Sequence, residues 1–162
     1  MAVFKYRLQN VLDIKFRLED QAKAAFATAM ARQNEEEEKL AALVRRKEGY
    51  EEAGRKMRED VLNMTDMRDN DRAIDIIKDR IEKQTAELDK AKAQVDIARR
   101  NLNDAMQERK IHEKLKENNF EKFMQEVNAT ESREVDELVS YTYGERIKKA
   151  GEEDTDKRND NG

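Results

Sequence analysis

The sequence predicts an all-α fold: a long antiparallel two-helix coiled-coil hairpin followed by a disordered C-terminal tail. Three observations carry that expectation. The 162 residues include no Pro, Cys or Trp, and 43% are charged against 37% hydrophobic, the balance of long helices and coiled coils. From Ile74 to Ala105, the residues Ile74, Ile77, Ile81, Leu88, Ala91, Val95, Ala98, Leu102 and Ala105 follow an alternating three-then-four spacing, with Gln84 the polar member of the row. Such a 3.5-residue repeat lays a narrow apolar stripe along one side of a helix, and the stripe needs a partner helix. Finally, the Asp- and Asn-rich stretch at 65–71 offers the chain a place to reverse.

The expected hairpin covers 1–143, with one helix over about 3–64, a turn at about 65–71, a second helix over about 72–143, and a flexible acidic tail at 144–162. The first helix shows a stripe through Leu8, Val11, Leu18, Ala22, Ala25 and Ala29. It drifts by one position and resumes through Leu40, Leu43, Tyr50, Met57, Val61 and Met64, the drift a 3.6-residue helix makes against a strict heptad. Acid-first pairs at i,i+4 support this helix: Glu35 with Lys39, Glu51 with Arg55 and Glu52 with Lys56, each worth roughly 0.3 kcal/mol. The acidic run Glu35–Glu38 reads as a solvated face. Gly49 and Gly54 weaken the helix by about 1 kcal/mol each relative to Ala, yet the pattern carries through them.

At the turn, Asp71 is the expected N-cap of the second helix. A reversal near Asp69 sets Met64 against Ile74, Met57 against Ile81, Tyr50 against Leu88 and Leu43 against Val95, so the numbers of facing residues add to about 138. The expected seam is therefore Leu43, Tyr50, Met57, Met64, Ile74, Ile77, Ile81, Leu88, Val95 and Leu102. The same register sets Ala22 opposite Lys116, Ala25 near His112, Ala29 opposite Arg109 and Glu36 opposite Leu102, a thinner zone in which cationic stems lie across small residues. Packing returns with Phe120, Phe123 and Val127 against Val11, Leu12, Lys15 and Phe16. Lys5, Arg7, Lys15 and Arg17 face an acidic segment holding Glu126, Glu131, Glu134, Asp136 and Glu137. Past about Glu134 the second helix overhangs the first, and Gly144 ends it. Residues 151–162 are acidic and poor in apolar side chains, the composition of a disordered segment. Helices of this length give a rod on the order of 100 Å.

Most chemistry is excluded by what is missing. One histidine, His112, cannot form a His pair for zinc, and it reads as a seam residue packed beside alanines. Ser132 and Ser140 lack a companion base and nucleophile-elbow glycines. No glycine-rich loop is present to cradle phosphates. The chain reads as a non-enzyme that needs no cofactor and no metal. A formal net charge of −4 argues against nucleic acid as partner, because phosphate binding needs clustered cations without matching acids. No run approaches the ~18 apolar residues of a membrane span, and the mixed polar face does not suit direct lipid binding. The N-terminus lacks a signal-peptide apolar run, and the absence of cysteine fits a reducing, cytosolic setting.

Both ends carry a further pattern. Phe4-Lys5-Tyr6-Arg7-Leu8-Gln9-Asn10-Val11-Leu12, followed by Glu19 and Ala22, resembles the opening of the flagellar export protein FliJ family. Glu108-Arg109-Lys110-Ile111-His112-Glu113-Lys114-Leu115, then Phe123, Glu126, Glu131 and Asp136-Glu137, is similar to the family's basic-acidic-Leu segment and its terminal Asp-Glu. The resemblance implies an antiparallel coiled coil like the shaft of rotary ATP synthases. It implies a cytoplasmic component of the flagellar type III export apparatus, peripheral at the cytoplasmic face of the cell membrane through protein partners. Those partners are the hexameric export ATPase FliI, the export gate protein FlhA and export chaperones. Both termini are directed into the ATPase ring, which makes Phe4, Tyr6, Arg7, Leu8, Arg133, Glu137 and Tyr141 candidate ring contacts, with the hairpin tip near Asp69 towards the gate. A seam satisfied within the chain leaves the free protein monomeric. Two other readings share the pattern: the equivalent stalk of a virulence type III secretion system, and an unrelated coiled-coil scaffold that self-associates through its seam.

Overall fold

A computed structural model describes residues 2–61 and 63–159, with side chains as far as 154. It consists of two α-helices, α1 (Gln9–Glu59) and α2 (Met64–Asn159), packed against each other with no strand among the described residues. The chain divides into a hairpin unit, Val11–Ile111, and a terminal unit, Met1–Asn10 with His112–Gly162.

In the hairpin unit the seam of α1 runs through Leu12, Lys15, Glu19, Ala22, Phe26, Ala29, Gln33, Glu36, Leu40, Leu43, Lys47, Tyr50, Gly54 and Met57, each buried or half-buried. The spacing alternates three and four without a break. No drift occurs: Leu18 and Ala25 are exposed, and Val61 is 91% exposed. The expected drift arose because Lys15, Glu19, Gln33, Glu36, Lys47 and Gly54 hold seam positions and interrupt the apolar row. On α2 the stripe is as expected: Ile77, Leu88, Ala91, Val95 and Ala98 are buried, Ala91 fully, and Ile74, Ile81, Gln84 and Leu102 are half-buried. Leu43, Tyr50 and Met57 meet this stripe as half-buried residues. Met64 does not, being the exposed first residue of α2.

The reversal lies between Glu59 and Met64, not at 65–71. Asn63 decides it. Its side-chain oxygen accepts from the amides of Thr65 at 3.1 Å and Asp66 at 3.3 Å, and its carbonyl accepts from Met67 N at 3.1 Å. These bonds satisfy amides that the first turn of a helix leaves without partners. Asp66 adds a negative charge at the positive end of the helix dipole. Asp71, the expected cap, lies inside α2.

Moving the reversal changes the register. Gly54 meets Asn70, a pair whose numbers add to 124, and Arg99 sits over the Phe26 ring at 5.8 Å, a pair adding to 125. The difference between 138 and 124 is two heptads, so every seam residue keeps its face while its partner changes. The polar residues select the observed register. Here Arg109 reaches Glu19 and Gln84 reaches Glu36. The expected one sets Arg109 against Ala29 and Glu36 against Leu102, stranding charge on apolar neighbours.

The two glycines of α1 separate in this register. Nothing stands within 4 Å of a Cβ at Gly49, whereas a Cβ at Gly54 would lie 2.6 Å from the buried Asn70 amide. Gly49→Ala is expected to stabilise the chain by about 1 kcal/mol through helix propensity. Gly54→Ala is expected to destabilise it, and Asn70→Ala in the same chain to relieve part of that loss. Thermal melts of the four proteins check this; equal gains at both glycines would contradict the close seam approach at Gly54.

In the terminal unit residues 2–8 are not helical, so α1 begins six residues later than expected. Gln9 N donates to the Tyr6 carbonyl at 3.2 Å as the helix starts. Phe4 lies edge-on to Phe120, with centroids 5.2 Å apart and planes at 75°, and 5.4 Å from Phe123. Phe120 and Phe123 thus close on the N-terminal segment. Lys116 Nζ donates to Gln9 Oε1 at 2.7 Å, where Ala22 was the expected partner. Helix α2 does not end at Gly144 but runs through Gly144 and Gly151 to Asn159. The expected flexible tail at 144–162 extends past the described residues, and its last three positions lie outside them.

Candidate functional site

The hairpin unit concentrates its charge chemistry in two layers of the seam. In the first, Arg109 holds Glu19 by two bonds, Nε to Oε2 at 2.6 Å and a second nitrogen to Oε1 at 3.2 Å. Lys23 stands 3.4 Å from the same carboxylate. Glu19 is 4% exposed. The Arg109 hydrogen bonds keep its carboxyl below the ordinary 4.5, outweighing the opposite push of burial, with Lys23 adding to the effect. Arg109 also lies 5.9 Å from the Phe16 ring centroid, and Lys15 pairs with Glu108 at 2.6 Å rather than with the acids at 126–137. In the second layer Gln84 Nε2 donates to the Glu36 carboxylate and, at 3.1 Å, to its backbone carbonyl. The Gln84 bond holds the Glu36 carboxyl below the ordinary range, with Lys39 assisting at 3.4 Å. Glu36 is therefore a buried member of a run otherwise solvated as expected. Of the expected helix pairs, Glu35–Lys39 is present at 3.6 Å, while Glu51 pairs with Lys47 and Glu52 with Arg55.

These layers were not singled out as a unit by sequence reasoning. The signal was present: the acids Glu19 and Glu36 on the three-four row of α1 are too costly to bury alone, so each demands a partner. Both layers bind groups of the chain to each other and leave no open coordination or nucleophile. Among the described residues no cluster of three or more His, Cys, Asp or Glu side chains is placed to hold a metal ion. No helix among them is long and apolar enough to cross a membrane.

The candidate contact residues all fall in the terminal unit, but the structure does not present them alike. Tyr6 is buried and Phe4 half-buried, the Phe4 ring lying against Phe120 and Phe123 of α2. Tyr6 Oη and His112 Nδ1 are buried and receive no hydrogen bond from the described residues. Arg7, Leu8, Arg133, Glu137 and Tyr141 are exposed. Arg133, Glu137 and Tyr141 are spaced by four and share one side of α2. The shallow groove lined by Lys122, Gln125, Glu126, Ala129, Thr130 and Arg133 is formed by one helix alone and encloses nothing.

A family model described as Flagellar FliJ protein matches residues 4–148. The chain belongs to the FliJ family. No curated protein and no solved structure matches it. Membership makes the chain a coiled-coil protein of flagellar export, and the match takes in both ends quoted above for their resemblance. It also passes Gly144, so this FliJ family member carries family sequence beyond the point where its second helix was expected to stop.

Proposed function

We propose that this FliJ family protein is a non-enzymatic stalk of the flagellar type III export apparatus, binding and stimulating the export ATPase FliI and linking its ring to the gate protein FlhA. Handling of export chaperones belongs to the same reading, as does a cytoplasmic position against the membrane held by protein partners. The observation that carries the proposal is the terminal unit. It offers Arg7, Leu8, Arg133, Glu137 and Tyr141 on an exposed surface. Exposed charge pairs are weak and exchange readily, which suits repeated contact with a cycling ring. The hairpin seam is completed within the chain, so no second copy is needed to close it.

The test is phosphate release by the purified flagellar export ATPase with and without the chain. Stimulation is expected with the parent, and a several-fold loss of it with Arg7→Glu/Arg133→Glu, whose sites are solvent-exposed and leave folding intact. Full stimulation by the double variant would remove these residues from the contact surface. An ATPase that is active but indifferent to the parent chain would remove the stalk role itself.

A further inference from the structure

Beyond Val127, α2 has no described neighbour that buries it: the described residues from Asn128 to Asp154 are exposed except half-buried Gly144. A lone helix of that length is marginal in water, and this one is not uniformly polar. Val135 is 58% exposed, Leu138 65%, Val139 61% and Tyr143 67%. At about 100° per residue these four fall within one arc of the helix, on the side away from Arg133, Glu137 and Tyr141. The arc is also not the continuation of the α1-facing stripe, whose positions here are Thr130, Glu134 and Glu137. The overhanging part of α2 therefore carries its own apolar face, rotated from the seam and separate from the proposed ring contacts.

Charge along this stretch is segregated. Glu131, Glu134, Asp136 and Glu137 against Arg133 leave three net negative charges at 131–137, and Arg146, Lys148 and Lys149 against Glu145 leave two net positive at 145–149. We propose that a second copy of this chain covers the face, as an antiparallel helix pair centred between Ser140 and Tyr141. That arrangement is its own complement. It lays Leu138 of each copy against the other's Tyr143 and Val139 against Thr142, and brings each acidic turn near the other's basic one. A parallel pair would set acid against acid. One short two-helix contact of this kind lies at the lower edge of a specific interface, about 1,000 Å² in total. The association is accordingly weak and concentration-dependent, which distinguishes it from the tight self-association of a scaffold built on its seam.

Sedimentation velocity of the full chain from low to high micromolar concentration tests this. The expected result is a monomer that converts to dimer with rising concentration. Leu138→Glu/Tyr143→Glu is expected to weaken self-association at least tenfold. Lys149→Glu is expected to weaken it in the same way, with recovery on mixing with a Glu131→Lys chain. Circular dichroism of each variant shows that the hairpin seam is retained. A parent chain that stays monomeric throughout, or a dimer that persists unchanged in Leu138→Glu/Tyr143→Glu, overturns the proposal. Stimulation of the export ATPase by the same variants reads the opposite face independently.

Discussion

Ile77→Ala is expected to lower the unfolding free energy by about 2–3 kcal/mol, and Leu88→Ala by a similar amount. Ile77 is 2% exposed and Leu88 6%, so truncation removes apolar contact and leaves a gap that neighbouring turns fill only in part. The lower half of the usual range applies because a two-helix seam has solvent on both flanks and few further layers to hold a cavity open. Ile76 and Ile97 provide the control, being 55% and 47% exposed on the same helix. Their replacement by Ala is expected to change stability by no more than about 0.5 kcal/mol, where lost contact and improved helix propensity oppose each other. Urea denaturation followed by helical ellipticity checks both pairs. Equal losses at Ile76 and Ile77 would mean that the stripe does not face α1.

Arg109→Ala is expected to produce a larger loss of melting temperature than any exposed charge deletion in the chain, because it leaves the Glu19 carboxylate in the seam without its two Arg109 bonds. Glu19→Ala/Arg109→Ala is expected to recover part of that loss, since the stranded charge is then absent. The pair also sets a pH dependence. Glu19 and Glu36 have folded-state pKa values below their ordinary 4.5, chiefly through the Arg109 and Gln84 hydrogen bonds. A lowered carboxyl pKa contributes stability that is fully present above 4.5 and is lost as pH falls through the folded value, because the unfolded chain takes up the proton first. Melting temperature is therefore expected to fall on acidification below that point. The fall should be shallower in Arg109→Ala, which has already lost the Glu19 share. Melts between neutral and acidic pH measure it; identical slopes in parent and variant would show that the ion pair adds nothing.

The legibility of this chain differed between its two helices for a physical reason. The seam of α2 is nearly all apolar between Ile74 and Ala105, so its period stood out and its buried residues were recognisable one by one. The seam of α1 hides among Lys15, Glu19, Gln33, Glu36 and Lys47, and an apolar pattern search passes over them. Asn63 was a cap in plain view, with Asp66 three residues on, but the Asp-rich run behind it offered a competing turn. The candidate contact surface divided likewise. Arg7, Arg133, Glu137 and Tyr141 are exposed, while Tyr6 is buried and Phe4 is drawn into packing by Phe120 and Phe123.

Composition and the heptad of α2 by themselves determined that the chain is helical, that it pairs with itself, and which face of α2 is buried. Those properties are local and periodic, and a period survives whichever partner is chosen. Tertiary structure alone decided the register, since a shift of two heptads returns every apolar residue to the seam and leaves the hydrophobic pattern indifferent. What is not periodic breaks the tie: the Asn63 cap, the close approach of Gly54 to Asn70, and the Glu19–Arg109 and Glu36–Gln84 layers, each of which has a partner in only one of the two registers.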